Sequence, residues 1–440
     1  MQTDHSRATT PSALAPGVRR REVFGWAMFD FANSSYTTVV ITAVFNAYFV
    51  STVAAGAPWA TLAWTSALAV SYALIMVTAP VIGAFADLRA AKKRLLVLTT
   101  IGCVASTAAL ALAGPGSLWL AIALIIVSNW CFSTGVNVNS AFLPELARSE
   151  ALGRVSGWGW GLGYIGGLIA LAVCVAWVMA AEGRGEGASE YVPATMLITA
   201  AFFALATIPT FLFLRERAVP QADAAPIGAL VRESFTRLAH TIRHALAFRD
   251  LATLLACIVC YQAGIQTVVA LAAVYAQEAL GFDTRQTLML VLVVNITAAV
   301  GAFLFGPVQD RLGHRASLAL ILVIWLATVL VAWRADSVAT FWIAANLAGF
   351  GLGAAQSAGR ALVGYLSPEH RRAEFFGLWG LAVNLASIIG PMTYGAVSWL
   401  GGGDHRLAML TTGVFFIAGL AVLAAVNVAR GREAALADST

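Results

Sequence analysis

Charge is scarce in this chain. Asp, Glu, Lys and Arg make up 11% of its 440 residues, 60% are hydrophobic, and the mean hydropathy is +0.80. A soluble domain needs a far more polar surface, so that class is excluded. Cysteine is sparse too: there are five, all within apolar stretches. Cys257 and Cys260 form a C-x-x-C, but no second pair accompanies it, so neither a metal nor a cofactor is expected. None of the six histidines lies in an apolar run beside an acid or a serine, which counts against a membrane-embedded enzyme. No G-x-x-x-x-G-K-[ST] loop occurs, which disfavours a nucleotide-driven pump. Residues 1–23 are polar, hold Pro11, Pro16 and the run Arg19-Arg20-Arg21, and read as a tail rather than a cleavable signal.

Long apolar runs are abundant. Twelve fall near residues 24–50, 60–86, 95–113, 118–142, 155–180, 193–214, 251–276, 287–309, 315–333, 338–362, 375–399 and 407–429. Each suffices for a helix across roughly 30 Å of hydrocarbon, whereas a barrel strand would need only about ten alternating residues. The chain therefore reads as an all-α multi-pass membrane protein. Of its 27 Lys and Arg, 22 fall in the N-terminus, the even-to-odd connections and the C-terminus. Only Arg184, Arg285, Arg334 and Arg406 fall in the opposite loops. This bias places both termini in the cytoplasm and makes the net charge of +5 a topology signal, with no nucleic-acid partner implied.

Residues 215–250 form the single long polar connector and divide the spans six and six. The expected organisation is a tail (1–23), a six-helix bundle (24–214), the connector, a second bundle (251–429) and a tail (430–440). The two bundles repeat each other. "GAFADLRAAKKR" follows the second span and "GPVQDRLGHR" the eighth, with Asp87 and Asp310 separated by 223 residues. "PELAR" follows the fourth span and "PEHRR" the tenth, with Pro144 and Pro368 separated by 224. Duplicated six-span halves are the mark of an alternating-access carrier whose substrate sits between them at mid-membrane. Within the connector, Val231, Phe235, Leu238, Ile242 and Leu246 share one helical face, suited to lying on membrane lipids. His240 and His244 have metal-capable spacing, but no acid or cysteine joins them.

The first span poses the sharpest question, because Asp30 lies inside it and a carboxylate in hydrocarbon costs about 3 kcal/mol. Asp30, Asn33, Ser34 and Thr37 share a helical face; Asn129, Ser133, Asn137 and Ser140 do so in the fourth span. Gln262 and Gln266 mark the seventh span, and Asn346, Gln356, Ser357 and Arg360 the tenth. Polar groups belong where water, substrate or a neighbouring helix satisfies them. Asp30 and Arg360 belong to opposite halves at similar depth. Three arrangements stay open: a pair that closes and parts across the cavity, separate contacts to the ammonium and carboxylate of a zwitterionic solute, or a static ion pair. Asp30 is also a candidate proton-coupling group. Near the membrane surface, Glu145 with Arg148 and Glu369 with Arg372 have i, i+3 spacing and read as gate candidates, with Asp87, Arg89, Asp310 and Arg311.

"GWGLGYIGG" contains a literal G-x-G-x-x-G at Gly161, Gly163 and Gly166, but no strand precedes it. Gly153, Gly157 and Gly161, and Gly159, Gly163 and Gly167, recur every four residues, as helices in close contact require.

The paired G-x-x-x-D loops resemble the major facilitator superfamily, the second copy closely and the first without the glycine after the arginine. Within it, "DFANSSY", "SGWGWGLGYIGG" and "EFFGLWG" resemble the vacuolar amino-acid effluxer branch, also called the unknown major facilitator family. The resemblance implies a central cavity lined by helices 1, 4, 7 and 10, with 3, 6, 9 and 12 facing lipid. It also implies a secondary active transporter of the cell's inner (plasma) membrane. The expected cargo is a small polar solute, amino acids in first place, with protons as coupling ion. The alternatives are a proton-coupled exporter of drugs or organic ions and, in another class, a membrane-embedded enzyme.

Overall fold

The structure is a computed structural model, and it describes residues 13–148, 152–217, 227–368 and 372–437. Among these described residues, twelve helices are long and apolar enough to cross a membrane. Helices 1 to 6 are Arg20–Val53, Ala60–Leu88, Lys92–Leu112, Leu118–Ser140, Leu152–Gly183 and Ala188–Phe213. Helices 7 to 12 are Arg249–Leu280, Thr284–Leu312, His314–Arg334, Val338–Leu366, Arg372–Leu400 and His405–Ala424. Among the described residues no named strand occurs; Leu14 and Ala147 form an isolated antiparallel bridge.

Local chemistry sets the boundaries. Asp283, Ser337 and Asp404 each accept a hydrogen bond from the backbone N–H three residues on, capping helices 8, 10 and 12. Helix 6 breaks at Thr207, where Pro209 opens a second segment, Ile208–Phe213. The twelfth span ends at Ala424 rather than at 429. Asn427 accepts the Arg430 N–H through its side chain and starts a separate C-terminal helix, Val428–Ala437, where the sequence suggested only a tail.

Helix 1 departs most from a regular helix. After Ser35 it widens into a π-helix over Tyr36–Ala43, returns to α-geometry over Phe45–Tyr48, and widens again over Phe49–Val53. Residues 37–42 are six consecutive β-branched residues, Thr-Thr-Val-Val-Ile-Thr. Such side chains crowd the preceding turn of an α-helix, and a wider turn relieves the crowding.

The halves pack alike. Helix 1 packs on helix 5 as helix 7 packs on 11; helix 2 packs on 4 as 8 packs on 10; helix 3 packs on 4 and 6 as 9 packs on 10 and 12. Between halves, helix 2 meets helix 11 and helix 5 meets helix 8. The connector helix, Ile227–Ala247, lies against helices 2, 7 and 11. Leu238 turns toward the protein while Phe235, Ile242 and Leu246 stay exposed.

Candidate functional site

The predicted glycine ladder finds its partner in helix 1. Asp30, Ser34 and Thr38 recur every four residues, as Gly159, Gly163 and Gly167 do on helix 5, and the two rows interdigitate. A Cβ at Gly159 would sit 2.5 Å from Asp30 Oδ2 and 2.9 Å from the Trp26 ring; at Gly163 it would sit 3.0 Å from Ser34 Oγ. At Gly166 it would collide with the Phe31 carbonyl. The alternate ladder has no such role, since the space beside Gly157 and Gly161 is open.

Asp30 is half-buried in this seam. Its Oδ1 accepts a long hydrogen bond, 3.4 Å, from Asn139 Nδ2 of helix 4, and Oδ2 faces Gly159. The carboxylate is thus held among helices 1, 4 and 5 and is not turned toward lipid. Asn139 is tied in further by the Trp26 indole N–H, which donates to its carbonyl at 2.8 Å. The sequence reading missed Asn139, which lies between Asn137 and Ser140 of the predicted stripe but, unlike them, is buried. Asn33 is buried and its Nδ2 has no hydrogen-bond partner. Ser34 Oγ donates to the Asp30 carbonyl and Thr37 Oγ1 to that of Ser34.

The helix 4 stripe divides. Asn129 is buried and donates to Ser71 Oγ of helix 2 at 3.0 Å, whereas Ser133 is half-buried and Asn137 and Ser140 are exposed. Each four-residue step overshoots a helical turn by about 40°, so a row of such steps winds off its starting face. On helix 7, Gln262 is buried with Oε1 unpartnered, and Gln266 is half-buried. Asn346 donates to the Trp342 carbonyl of its own helix at 2.7 Å, and Gln356 is half-buried. The backbone of helix 10 carries Ser357 and Arg360, but their side chains lie outside the described residues, as do those of Asp87, Asp310 and Arg372 and the whole of Glu369.

A cavity of about 210 Å³ opens beside the π-helical part of helix 1. Thr37, Thr38 and Thr42 form one wall, Asn295 of helix 8 adds an amide, and Trp325 and Thr328 of helix 9 line the far side. Val268, Val291, Phe341 and Met409 make the rest of the lining largely apolar. Of the predicted residues whose side chains are described, only Thr37 reaches it. Contrary to expectation helix 9 contributes to this cavity and helix 4 does not, while helix 10 adds Phe341, Ala344, Ala345, Ala348 and Leu352.

The two ends of the molecule differ. At the end bearing the 1–2 loop the halves are joined: Asn46 Nδ2 donates to the Ala270 carbonyl at 3.0 Å, and the Tyr191 hydroxyl to Thr284 Oγ1 at 2.8 Å. At the connector end, the described ion pairs all stay within one half or between it and the chain leaving it. Glu145 accepts from Lys92 Nζ at 3.0 Å and from the Arg217 N–H at 3.2 Å. It does not share a helical face with Arg148, as its spacing suggested: the helix ends at Leu146, Ala147 is extended, and Arg148 Nε reaches the Leu14 carbonyl. Arg89 and Arg311 are exposed.

Comparison with known proteins decides the family: the model for vacuole effluxer Atg22 like proteins matches residues 60–436. The chain belongs to that family. It is 29% identical over 409 residues to the uncharacterized MFS-type transporter YxiO of Bacillus subtilis (strain 168), covering 91% of this chain and 94% of that one. It is 22% identical over 391 residues to autophagy-related protein 22 of Eremothecium gossypii, covering 82% and 75%. In fold it is similar to the nucleoside transporter NupG (TM-score 0.66, 15% identity, 93% and 98% covered). It is equally similar to a bacterial homolog of the human lysosomal transporter Spinster in an inward-facing, unoccupied conformation (0.67, 14%, 94% and 98%). This Atg22-like protein is therefore a multi-pass secondary transporter of the major facilitator type, not an enzyme.

Proposed function

We propose that this Atg22-like protein carries amino acids across the cell's inner membrane by alternating access, with both termini in the cytoplasm. One observation carries the reading: the halves are hydrogen-bonded across the 1–2 loop end through Asn46 and Tyr191, while the described ion pairs at the connector end stay within single halves. One-sided closure is what a rocking carrier has in one of its two states. In the proposed mechanism Asp30 and Arg360 serve the zwitterion, with Asp30 also available to a proton. The threonines of helix 1 and Asn295 give the neighbouring cavity its few polar contacts. The domain limits read from the sequence mark the two moving bodies, with Glu369 and Arg372 proposed at the gate beside Asp87 and Asp310.

A second reading, proton-coupled export of organic ions, is favoured by the cavity itself, whose lining includes Trp325, Phe341 and Met409. A transport screen in proteoliposomes, with and without a pH gradient, separates the two. Uptake of amino acids supports the first, and uptake confined to organic ions overturns it.

A further inference from the structure

Each half is fastened head to tail by an acid in the first turn of its first helix. In the N-terminal half Glu22 Oε2 accepts from Arg217 Nη2 at 2.7 Å, and its Oε1 accepts the Arg19 N–H at 3.1 Å. Arg217 lies four residues beyond Phe213, the end of helix 6. In the C-terminal half Asp250 occupies the first turn of helix 7. Its Oδ2 accepts from Arg430 Nε at 2.7 Å, and its Oδ1 from Arg430 Nη2 and the Asn427 N–H, both at 2.8 Å. Arg430 lies six residues beyond Ala424, the end of helix 12. Both carboxylate side chains are almost fully enclosed, at 3% and 4% exposure. The hydrogen bonds that the Arg430 guanidinium donates to Asp250 hold it above its ordinary pKa. The chain turns so closely here that a Cβ at Gly431 would meet Asp250 Cβ at 2.9 Å.

The two fastenings correspond under the pseudo-twofold, although no shared motif announces them: one acid is Glu and the other Asp, and the arginines follow their helices at different distances. Both join the helix that lines the crevice, 1 or 7, to the chain emerging from a helix at the bundle's flank, 6 or 12. An enclosed carboxylate needs a partner at every moment of the cycle, since losing it leaves a buried charge unpaired. A gate would instead span the two halves, and neither of these pairs does.

We propose that Glu22–Arg217 and Asp250–Arg430 are paired clasps that stay shut while the halves rock, so that Arg217 and Arg430 are positioning residues for alternating access. This rests on the carrier assignment and not on the identity of the cargo. The clasps differ in kind. Arg430 engages both carboxylate oxygens through a fork that lysine cannot reproduce, whereas Arg217 gives Glu22 one hydrogen bond that lysine can.

The test uses the full chain in proteoliposomes, with spin labels introduced as unnatural amino acids at exposed positions. Labels at Arg21 and Leu212 report distances within the N-terminal half, labels at Arg249 and Glu433 within the C-terminal half, and labels at Leu212 and Glu433 between the two halves. Within each half the expected result is one narrow distance that persists as the third pair shifts with pH or with added amino-acid mixture. Arg430→Gln and Arg430→Lys should both broaden the C-terminal distance, and Arg217→Lys should leave the N-terminal one narrow while Arg217→Gln broadens it. Transport of the amino-acid mixture should lose Vmax by about tenfold in the broadened variants with KM held, as expected for losing a bond to a charged group. The wild-type distances need neither a variant nor a substrate, so a wrong cargo is told apart from a wrong clasp. A within-half distance that splits in step with the third pair, or an Arg430→Lys protein indistinguishable from wild type, overturns the proposal.

Discussion

Ala90 and Gly313 occupy matching places in the two copies of the loop motif, each three residues after its aspartate, and both have positive φ, +47° and +78°. Glycine adopts that geometry freely, but alanine meets a steric penalty there of about 1 kcal/mol. The first copy therefore departs from the pattern in sequence while keeping a positive φ at the matching residue, and alanine there holds strain as a result. Ala90→Gly should stabilise the protein by ~0.5–1 kcal/mol. Gly313→Ala should destabilise it by ~1–3 kcal/mol, since its ψ of 162° puts it in a region almost closed to other residues. Thermal unfolding in detergent, followed by tryptophan fluorescence, reads both shifts, and a lower midpoint for Ala90→Gly would remove the strain argument.

The seam between helices 1 and 5 predicts a contrast within one helix. Alanine at Gly159 or Gly166 must displace Asp30 and Trp26 or the Phe31 backbone, whereas alanine at Gly157 or Gly161 meets nothing. Overpacking costs about 1–3 kcal/mol. Gly166→Ala, opposed by backbone rather than by a movable side chain, should be the worse of the first pair. Folded yield by size-exclusion chromatography should fall for Gly159→Ala and Gly166→Ala and hold for the other two. Equal losses at all four positions would mean that the ladder governs something other than this contact.

How much of this was legible in the sequence follows from which forces act locally. Twelve spans follow from apolar run length, and the two-half architecture from motifs recurring at nearly equal offsets. Gly159, Gly163 and Gly167 announce a close contact by their spacing alone, but not which helix they meet. The polar stripes fared less well. Asn129 and Asn137 belong to one four-residue pattern yet face different surroundings, because an α-helix has 3.6 residues per turn. The cavity was nearly invisible beforehand, since Trp325, Thr328 and Asn295 converge only through tertiary packing. The π-helical stretch had a local signal in the β-branched run 37–42, which hydropathy registers only as apolarity. The pairing of Lys92 with Glu145 joins segments 53 residues apart, beyond the reach of an i, i+3 argument.

Asp30 should be essential to transport and dispensable for insertion. Asp30→Asn keeps the shape of the side chain and its contact with Gly159 but removes the charge and the exchangeable carboxyl proton. We expect Asp30→Asn and, separately, Arg360→Lys to abolish accumulation in proteoliposomes while membrane-inserted protein stays at wild-type amounts. Asn139→Ala removes the two long hydrogen bonds of its amide, to Asp30 Oδ1 at 3.4 Å and to the Trp26 carbonyl at 3.5 Å, and should slow transport by about tenfold or less, in line with ~1 kcal/mol for such a bond. Normal accumulation by Asp30→Asn would take the carboxylate out of the mechanism.

The closed end offers a way to shift the balance between states. Asn46→Ala and Tyr191→Phe each remove one hydrogen bond that joins the halves, and a bond of this kind contributes about 1 kcal/mol net. That energy acts only in the state in which the halves meet at the 1–2 loop end, so its loss should shift the equilibrium between states by about fivefold toward opening there. The Asn46 side chain needs more care, because its Nδ2 also donates to the Thr42 carbonyl and its Oδ1 accepts the Ala47 N–H, and alanine therefore loses two local bonds as well. Tyr191→Phe is the cleaner variant: it leaves the ring in place and takes away only the hydroxyl. Labels placed on either side of the 1–2 loop end should show a larger long-distance population in Tyr191→Phe than in wild type, and the double variant should exceed both. If the populations do not move, closure at this end rests on the apolar packing of helix 2 on helix 11, where Gly395 lies against Leu62 and Thr65, and the two hydrogen bonds follow closure rather than drive it.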